Sequence, residues 1–379
     1  MSLFSDLAQA PAEPIFAIAE AAKRAGTDAI NASIGIILDE EGKPLVLECV
    51  RKALREWEGK DDLSYAPLLG IPEFRRSVSR LSFGNDEHVA SIAAAGGTGA
   101  LLINLKLLHQ RLGITRVILP VPSWPNHRRM LDALGMQVID VPYLDNGETI
   151  VEPLLEAIQA SDAHTAVLLH ASCHNPTGKQ WSLDQWKQIA NALSGKEQPV
   201  LLDCAYQGLG AGLAEDVAAI DILKEARVPL FFAWSASKNH TIYGLRTGLA
   251  CVWADSEEEK RKIEGHYEIL TREAYSGAPI TGQRIVGTVQ EKFADAWKSE
   301  IDALRNTLQQ KRQMLLDAFP DWKSAISGYG LFTILPLSAE QVDQLATKHL
   351  FLTRDGRINI AGIPLSKMER TVKLIREVR

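Results

Sequence analysis

Pro229-Leu-Phe-Phe-Ala-Trp-Ser-Ala-Ser-Lys-Asn239 is an apolar run that ends on two serines and a lysine. A short run without polar interruption reads as a strand buried on both faces, the habit of parallel strands covered by helices. Lys238 then stands just past the carboxyl end of such a strand, where open α/β sheets place their chemistry. Arg246 follows eight residues later. Upstream, Pro199-Val-Leu-Leu-Asp203 repeats the pattern with an acid at its end and Tyr206 three residues on. Before that comes His170-Ala-Ser-Cys-His-Asn175-Pro-Thr-Gly178.

The same reading predicts strands over 117–120, 166–170, 200–203, 230–234 and 249–252, with helices over 99–112, 183–193 and 217–226. Alternation of the two types predicts an α/β domain with a mostly parallel central sheet. A long helix follows, with Phe293, Trp297, Ile301, Leu304, Leu308 and Leu315 at helical spacing, read as an interdomain packing face. The stretch 330–336 and the Asp355-Gly356 turn predict a smaller α+β unit, onto which the N-terminal segment is expected to fold back. The expected division is a large domain over 44–305 and a small domain from 1–43 with 306–379. A chain of 379 residues exceeds what one compact core usually holds.

Apolar content of 46% and charged content of 23% suit a globular enzyme, and a net charge of −6 argues against nucleic-acid binding. No uncharged apolar run is long enough to span a membrane, and no secretory signal is visible at Met1, so a cytoplasmic protein is expected. Cys49, Cys173, Cys204 and Cys251 are scattered, which favours reduced thiols. Cys173-His174 has no further ligand at metal spacing, and no metal is expected.

A lysine amine partly withdrawn from water is available as the free base for imine formation. An acid at the end of an apolar strand needs a partner, and a pyridinium nitrogen is one. Asn175 and Tyr206 offer hydrogen bonds to a phenolate-type ring oxygen. Trp124 offers a stacking face. Arg246, Ser235 and Ser237 supply a forked cation and hydroxyls for a phosphate. Gly96-Gly-Thr98-Gly-Ala100, with Gly97 and Thr98 at its centre, runs into an apolar helix, which adds unpaired N–H groups at the positive end of the dipole. Arg357 is a forked candidate for a substrate carboxylate. One molecule uses all these partners at once: pyridoxal 5'-phosphate (PLP). Each residue also has a plain alternative. Asp203 reads equally as a helix cap, Asn175 as a turn residue, Trp124 as a loop anchor and Arg357 as a surface arginine. His170 reads either as a support for Asp203 or as a satisfied core histidine.

In their order these segments resemble the fold-type I PLP-dependent aminotransferases of class I, in the aspartate and aromatic amino acid branch. The likeness runs through Ala10-Pro-Ala-Glu-Pro-Ile15, Ser33-Ile-Gly35, Tyr65, Gly70-Ile-Pro-Glu-Phe74, Gly97-Thr-Gly-Ala100 and Trp124-Pro-Asn-His127. It continues through the 170–178 run, Asp203-Cys-Ala-Tyr-Gln-Gly208, the stretch 235–246 and the stretch 356–362. The resemblance implies a homodimer with shared active sites, in which Lys238 carries the cofactor as an internal aldimine and Tyr65 reaches the partner's phosphate. Gly35 and Arg357 would hold the substrate α-carboxylate, and His127 would support Asp203 from behind. Arg272, in Thr271-Arg-Glu-Ala-Tyr275-Ser276, falls where this branch places a partner-subunit arginine that reads a side-chain carboxylate.

Three departures touch specificity: Gly96 where the family often has serine, Ile36-Ile37 where an aromatic is typical, and Leu245 where an acid is common. The expected reaction is a ping-pong exchange of the α-amino group between aspartate or an aromatic amino acid and 2-oxoglutarate. A β-lyase or decarboxylase of the same fold, or a non-catalytic PLP-binding protein, are the alternatives. A nicotinamide-dependent oxidoreductase is disfavoured, because Gly96-Gly-Thr-Gly99 is a poor dinucleotide fingerprint.

Overall fold

The computed structural model of the protein describes residues 3–10, 13–58, 60 and 64–379. Part of the arm motif, Pro11 and Ala12, lies outside the described residues. A seven-stranded sheet organises the chain. Its strands are β1 (Val89–Ala95), β2 (Arg116–Val121), β3 (Gln137–Pro142), β4 (Thr165–His170), β5 (Val200–Cys204), β6 (Leu230–Ser235) and β7 (Thr247–Trp253). In space they run β1-β7-β6-β5-β4-β2-β3. The five strands from β6 to β3 are mutually parallel, whereas β7 runs antiparallel to both β6 and β1. The mostly parallel sheet is therefore as expected, with β7 reversed because the loop after Lys238 turns the chain straight back beside β6.

Period-two alternation explains why these runs form strands buried on both faces. Val167, Leu169, Val200, Leu202, Phe232 and Trp234 point into one core cluster. Their neighbours Ala166, Leu168, Leu201, Phe231 and Ala233 point into a second, on the opposite face. Each fully buried large side chain contributes about 1.5–3 kcal/mol relative to exposure. Helix α1 (Gly96–Leu112) covers the second face and packs across β6 and β7.

Helix α2 (Ala294–Ala318) bridges two cores. Trp297, Ile301, Leu304 and Leu308 pack with the main cluster, while Leu315 joins a third cluster with Ile30, Leu335, Leu345, Ile358 and Met368. The predicted stripe is thus a single face shared between two apolar bodies, and the expected boundary at 305 falls inside this continuous helix. The N-terminal segment reaches the third cluster through Ile30–Asn31, which pairs in parallel with Leu350–Phe351. Trp297 Nε1 donates to the Asn239 carbonyl at 2.8 Å, tying α2 to the residue beside Lys238.

Every predicted strand runs one or two residues beyond an expected end, and two predicted helices shift at theirs. Helix α1 begins at Gly96 rather than 99, and the stretch read as helix 217–226 is a 3-10 turn, Glu215–Val217, followed by helix Ala218–Glu225.

Candidate active site

The carboxyl ends of β4, β5 and β6 and the first turn of α1 enclose a cavity of about 220 Å³. Lys238, Asp203, Tyr206, Asn175 and Trp124 border it, together with His170, Gly97, Thr98, Ser235, Ser237 and Arg246. Gly35, Ile15, Phe332 and Arg357 close its far side. The walls withdraw the Lys238 amine from water and push its pKa down to about 8; Asp203 counters this in part and Arg246 adds to it. Lys238 Nζ lies 5.6 Å from the Tyr206 ring centroid.

Asp203 is buried, and burial alone would raise its pKa. The hydrogen bond with His127, with the nearby positive potential of His127, His170 and Lys238, outweighs that and leaves it below the ordinary value. His127 Nε2 and Asp203 Oδ2 are 2.9 Å apart, and Ser123 Oγ lies 2.9 Å from His127 Nδ1. Trp124 meets the His127 ring edge-on at 5.3 Å. His170 takes no part in that hydrogen bond. Its ring sits 4.9 Å from that of His127, its Nε2 has no partner among the described residues, and burial pushes its pKa down to about 3. Ligand atoms of His127, His170 and Asp203 approach within 4.8 Å of one another. Burial raises the Tyr206 phenol well above its ordinary range, so it remains a neutral donor near neutral pH.

At the end beside α1, Ser235 Oγ donates to Ser237 Oγ at 3.1 Å, and Arg246 Nη1 reaches Ser237 Oγ at 3.5 Å and the Tyr243 carbonyl at 3.2 Å. No side chain caps α1, so its first N–H groups open onto the cavity beside Gly97 and Thr98. Gly96 has φ +75°, and a Cβ there would run into the Arg246 guanidinium. The missing hydroxyl at this position is thus space that the arginine occupies.

At the opposite end, Arg357 Nη1 donates to Asn175 Oδ1 at 3.3 Å and Nη2 to the Ser33 carbonyl at 3.1 Å. Its guanidinium lies 4.8 Å over the Phe332 ring. A Cβ on Gly35 would sit 2.9 Å from that ring, so glycine is what lets the 33–37 backbone approach. The Phe332 segment is held by Arg312, which donates to the carbonyls of Ile326, Tyr329, Gly330 and Phe332. Sequence reasoning missed Phe332, Ile15 and Asn359; Asn359 lies within the Gly356–Gly362 motif, and its side-chain amide holds the Ile34 and Ile36 carbonyls.

Two residues are not brought to this cavity within one chain. Tyr65 is 98% exposed, and Arg272 is exposed in the last turn of helix Glu257–Ala274.

A buried lysine of lowered pKa, an ionised aspartate and an uncapped helix start, gathered at parallel strand ends, fit the fold-type I transferase architecture. The chain belongs to the class I and II aminotransferase family: the family described as "Aminotransferase class I and II" matches residues 27–375. It is 32% identical over 399 aligned positions to an aspartate aminotransferase of Pseudomonas aeruginosa, covering all of both chains. It is 33% identical to an aspartate aminotransferase of Escherichia coli, covering 97% of each. Among solved structures it resembles an aromatic-amino-acid aminotransferase of Burkholderia pseudomallei covalently bound to pyridoxal phosphate. That match has a TM-score of 0.94, 30% identity and full coverage of both chains. The protein is a transaminase.

Proposed function

We propose that this protein is a PLP-dependent transaminase that exchanges the α-amino group between aspartate or an aromatic amino acid and 2-oxoglutarate. The carrying observation is that Lys238 and Asp203 border one cavity, with an anion-binding helix start at one end and Arg357 at the other. The residues present fit the cofactor. The Gly96 cradle, the uncapped first turn of α1, Ser235, Ser237 and Arg246 offer donors suited to a phosphate dianion. When bound, the cofactor supplies an aldehyde that condenses with amines and an electron-poor ring that stabilises negative charge on the adjacent carbon.

Lys238 would hold the cofactor covalently through its amine and, as a free amine, would serve as the base for the proton on the substrate α-carbon. Its pKa near 8 leaves about a tenth of the amine as free base at pH 7. Asp203 would hold a proton on the ring nitrogen, with His127 on Oδ2 keeping the carboxylate in its ionised form. Tyr206 and Asn175 would donate to the ring oxygen and Trp124 would pack against the ring, with His170 also lining the cavity. Arg357, Asn175 and the Gly35 backbone hold the substrate carboxylate.

In this reading Tyr65 and Arg272 act in a second copy's site, Tyr65 on the phosphate and Arg272 on a side-chain carboxylate. A homodimer is supported by their exposure and by the exposed apolar side chains of Leu3, Phe4, Leu7 and Phe16. Residues 44–305 then form the cofactor domain, and 1–43 with 306–379 the small domain around the third core. Four free buried cysteines suit the reducing cytoplasm.

The test is the visible spectrum of the purified protein, followed by an assay with aspartate, phenylalanine or tyrosine and 2-oxoglutarate. A chromophore that shifts on adding amino acid, with turnover beyond one equivalent per site only when a keto acid is present, supports the reading. Sustained turnover without a keto-acid acceptor would point to a lyase or decarboxylase instead.

A further inference from the structure

Residues 33–38 form the loop that brings Gly35 to the cavity, and most of its anchors come from one side. Arg357 holds the Ser33 carbonyl, the Asn359 amide holds those of Ile34 and Ile36, and the Ala361 carbonyl accepts from the Leu38 N–H at 3.0 Å. These three residues lie in the 357–361 segment, in which Ile358 and Ile360 join the third core and Ala361 joins the main one. Further anchors come from outside that segment: the Leu45 N–H donates to the Ile37 carbonyl at 2.9 Å, and the Ile37 N–H donates to the Tyr243 hydroxyl at 2.9 Å. Tyr243 belongs to the stretch between Lys238 and Arg246, and its carbonyl accepts from Arg246 Nη1 at 3.2 Å. A single residue therefore touches the phosphate-binding arginine through its backbone and the substrate loop through its side chain.

We infer that Tyr243 is a positioning residue that couples occupation of the Arg246 anion site to the register of the loop presenting Gly35 to the substrate carboxylate. The inference rests on the transaminase reading and deepens it. An anion drawn to Arg246 fixes the guanidinium, the guanidinium fixes the Tyr243 carbonyl, and the phenol fixes the Ile37 amide two residues from Gly35. Tyr243 is half-buried, and burial raises its phenol pKa, so it stays a neutral hydroxyl able to accept this bond across the working pH range. Gly35 cannot take up slack, because Phe332 fills the space behind its α-carbon.

The test is Tyr243→Phe, which removes the hydroxyl and keeps the ring. Three readouts are compared with wild type: PLP affinity of the apoprotein, kcat against KM for an amino acid and for 2-oxoglutarate, and hydrogen exchange in peptides spanning residues 33–38. The expected outcome is PLP affinity and kcat within about threefold of wild type, with KM raised about three- to tenfold for both substrates, since both present the same α-carboxylate. In wild type, adding PLP to the apoprotein slows exchange at the Ile37 amide; in the variant that slowing is lost. Unchanged KM values, or wild-type slowing retained in Tyr243→Phe, overturn the inference while leaving the transaminase reading intact. A wild-type protein that takes up no PLP overturns both.

Discussion

His127 Nε2 sits 2.9 Å from Oδ2 of Asp203; both residues are buried, Asp203 at the cavity wall and His127 behind it. This contact lowers the Asp203 pKa against the pull of burial, so removing it lets the carboxyl pKa rise. Asp203 then becomes protonated at a higher pH. For His127→Ala the acid limb of the kcat/KM profile moves to higher pH, with a loss of about tenfold near neutrality. A pH-rate series on wild type and variant checks it. An acid limb that stays in place would show that His127 only fills space.

The amine of Lys238 carries the second prediction. Burial holds its pKa near 8, so the free base is a minority at pH 7 and a majority at pH 9. The rate of PLP uptake by the apoprotein, followed by visible absorbance, rises with pH around a midpoint near 8. A midpoint close to that of an ordinary lysine, about 10.4, would mean that the amine is solvated in solution.

Arg272 separates substrate classes. On the proposed cross-subunit arrangement, Arg272→Ala lowers kcat/KM for aspartate and 2-oxoglutarate by about a hundredfold and leaves phenylalanine or tyrosine within about threefold, as measured in half-reactions. Equal losses on both classes would remove Arg272 from side-chain recognition.

Arg357 donates through both terminal nitrogens, one to Asn175 and one to the Ser33 carbonyl, and stacks on Phe332. Lysine cannot reproduce a planar fork. Arg357→Lys raises KM for every amino acid and keto acid by about ten- to a hundredfold, with PLP content unchanged. A selective loss for one substrate class would contradict a shared α-carboxylate role.

The buried parallel strands were legible in the sequence because apolar runs such as 230–234 admit few other readings. β1 was not: Val89-Ala-Ser-Ile-Ala-Ala-Ala95 is mostly alanine, a residue of strong helix propensity, and it leads directly into a helix. β3 was missed because it lies at the sheet edge and carries Gln137 and Asp140, so its apolar signal is weak. Lys238 and Asp203 could be found from residue chemistry, since each is costly at a buried strand end without a ligand, and Arg246 from its spacing to Lys238.

His127 was found only through likeness to a family; a histidine on a helix carries no signal of the strand-end acid it meets in space. Phe332, Asn359 and Tyr243 act through backbone carbonyls, amides and a glycine Cα, and no sequence pattern encodes such contacts. Tyr65 and Arg272 stand away from the cavity of their own chain, so neither spacing nor a single subunit's geometry assigns them a ligand.

Borohydride reduction of the PLP-loaded protein, followed by peptide mass spectrometry, tests the central claim most directly. The account predicts one pyridoxyl group per chain, carried on the Lys238 side chain, and none in Lys238→Ala. A pyridoxyl group on a different lysine, or stoichiometric labelling that survives Lys238→Ala, would contradict it.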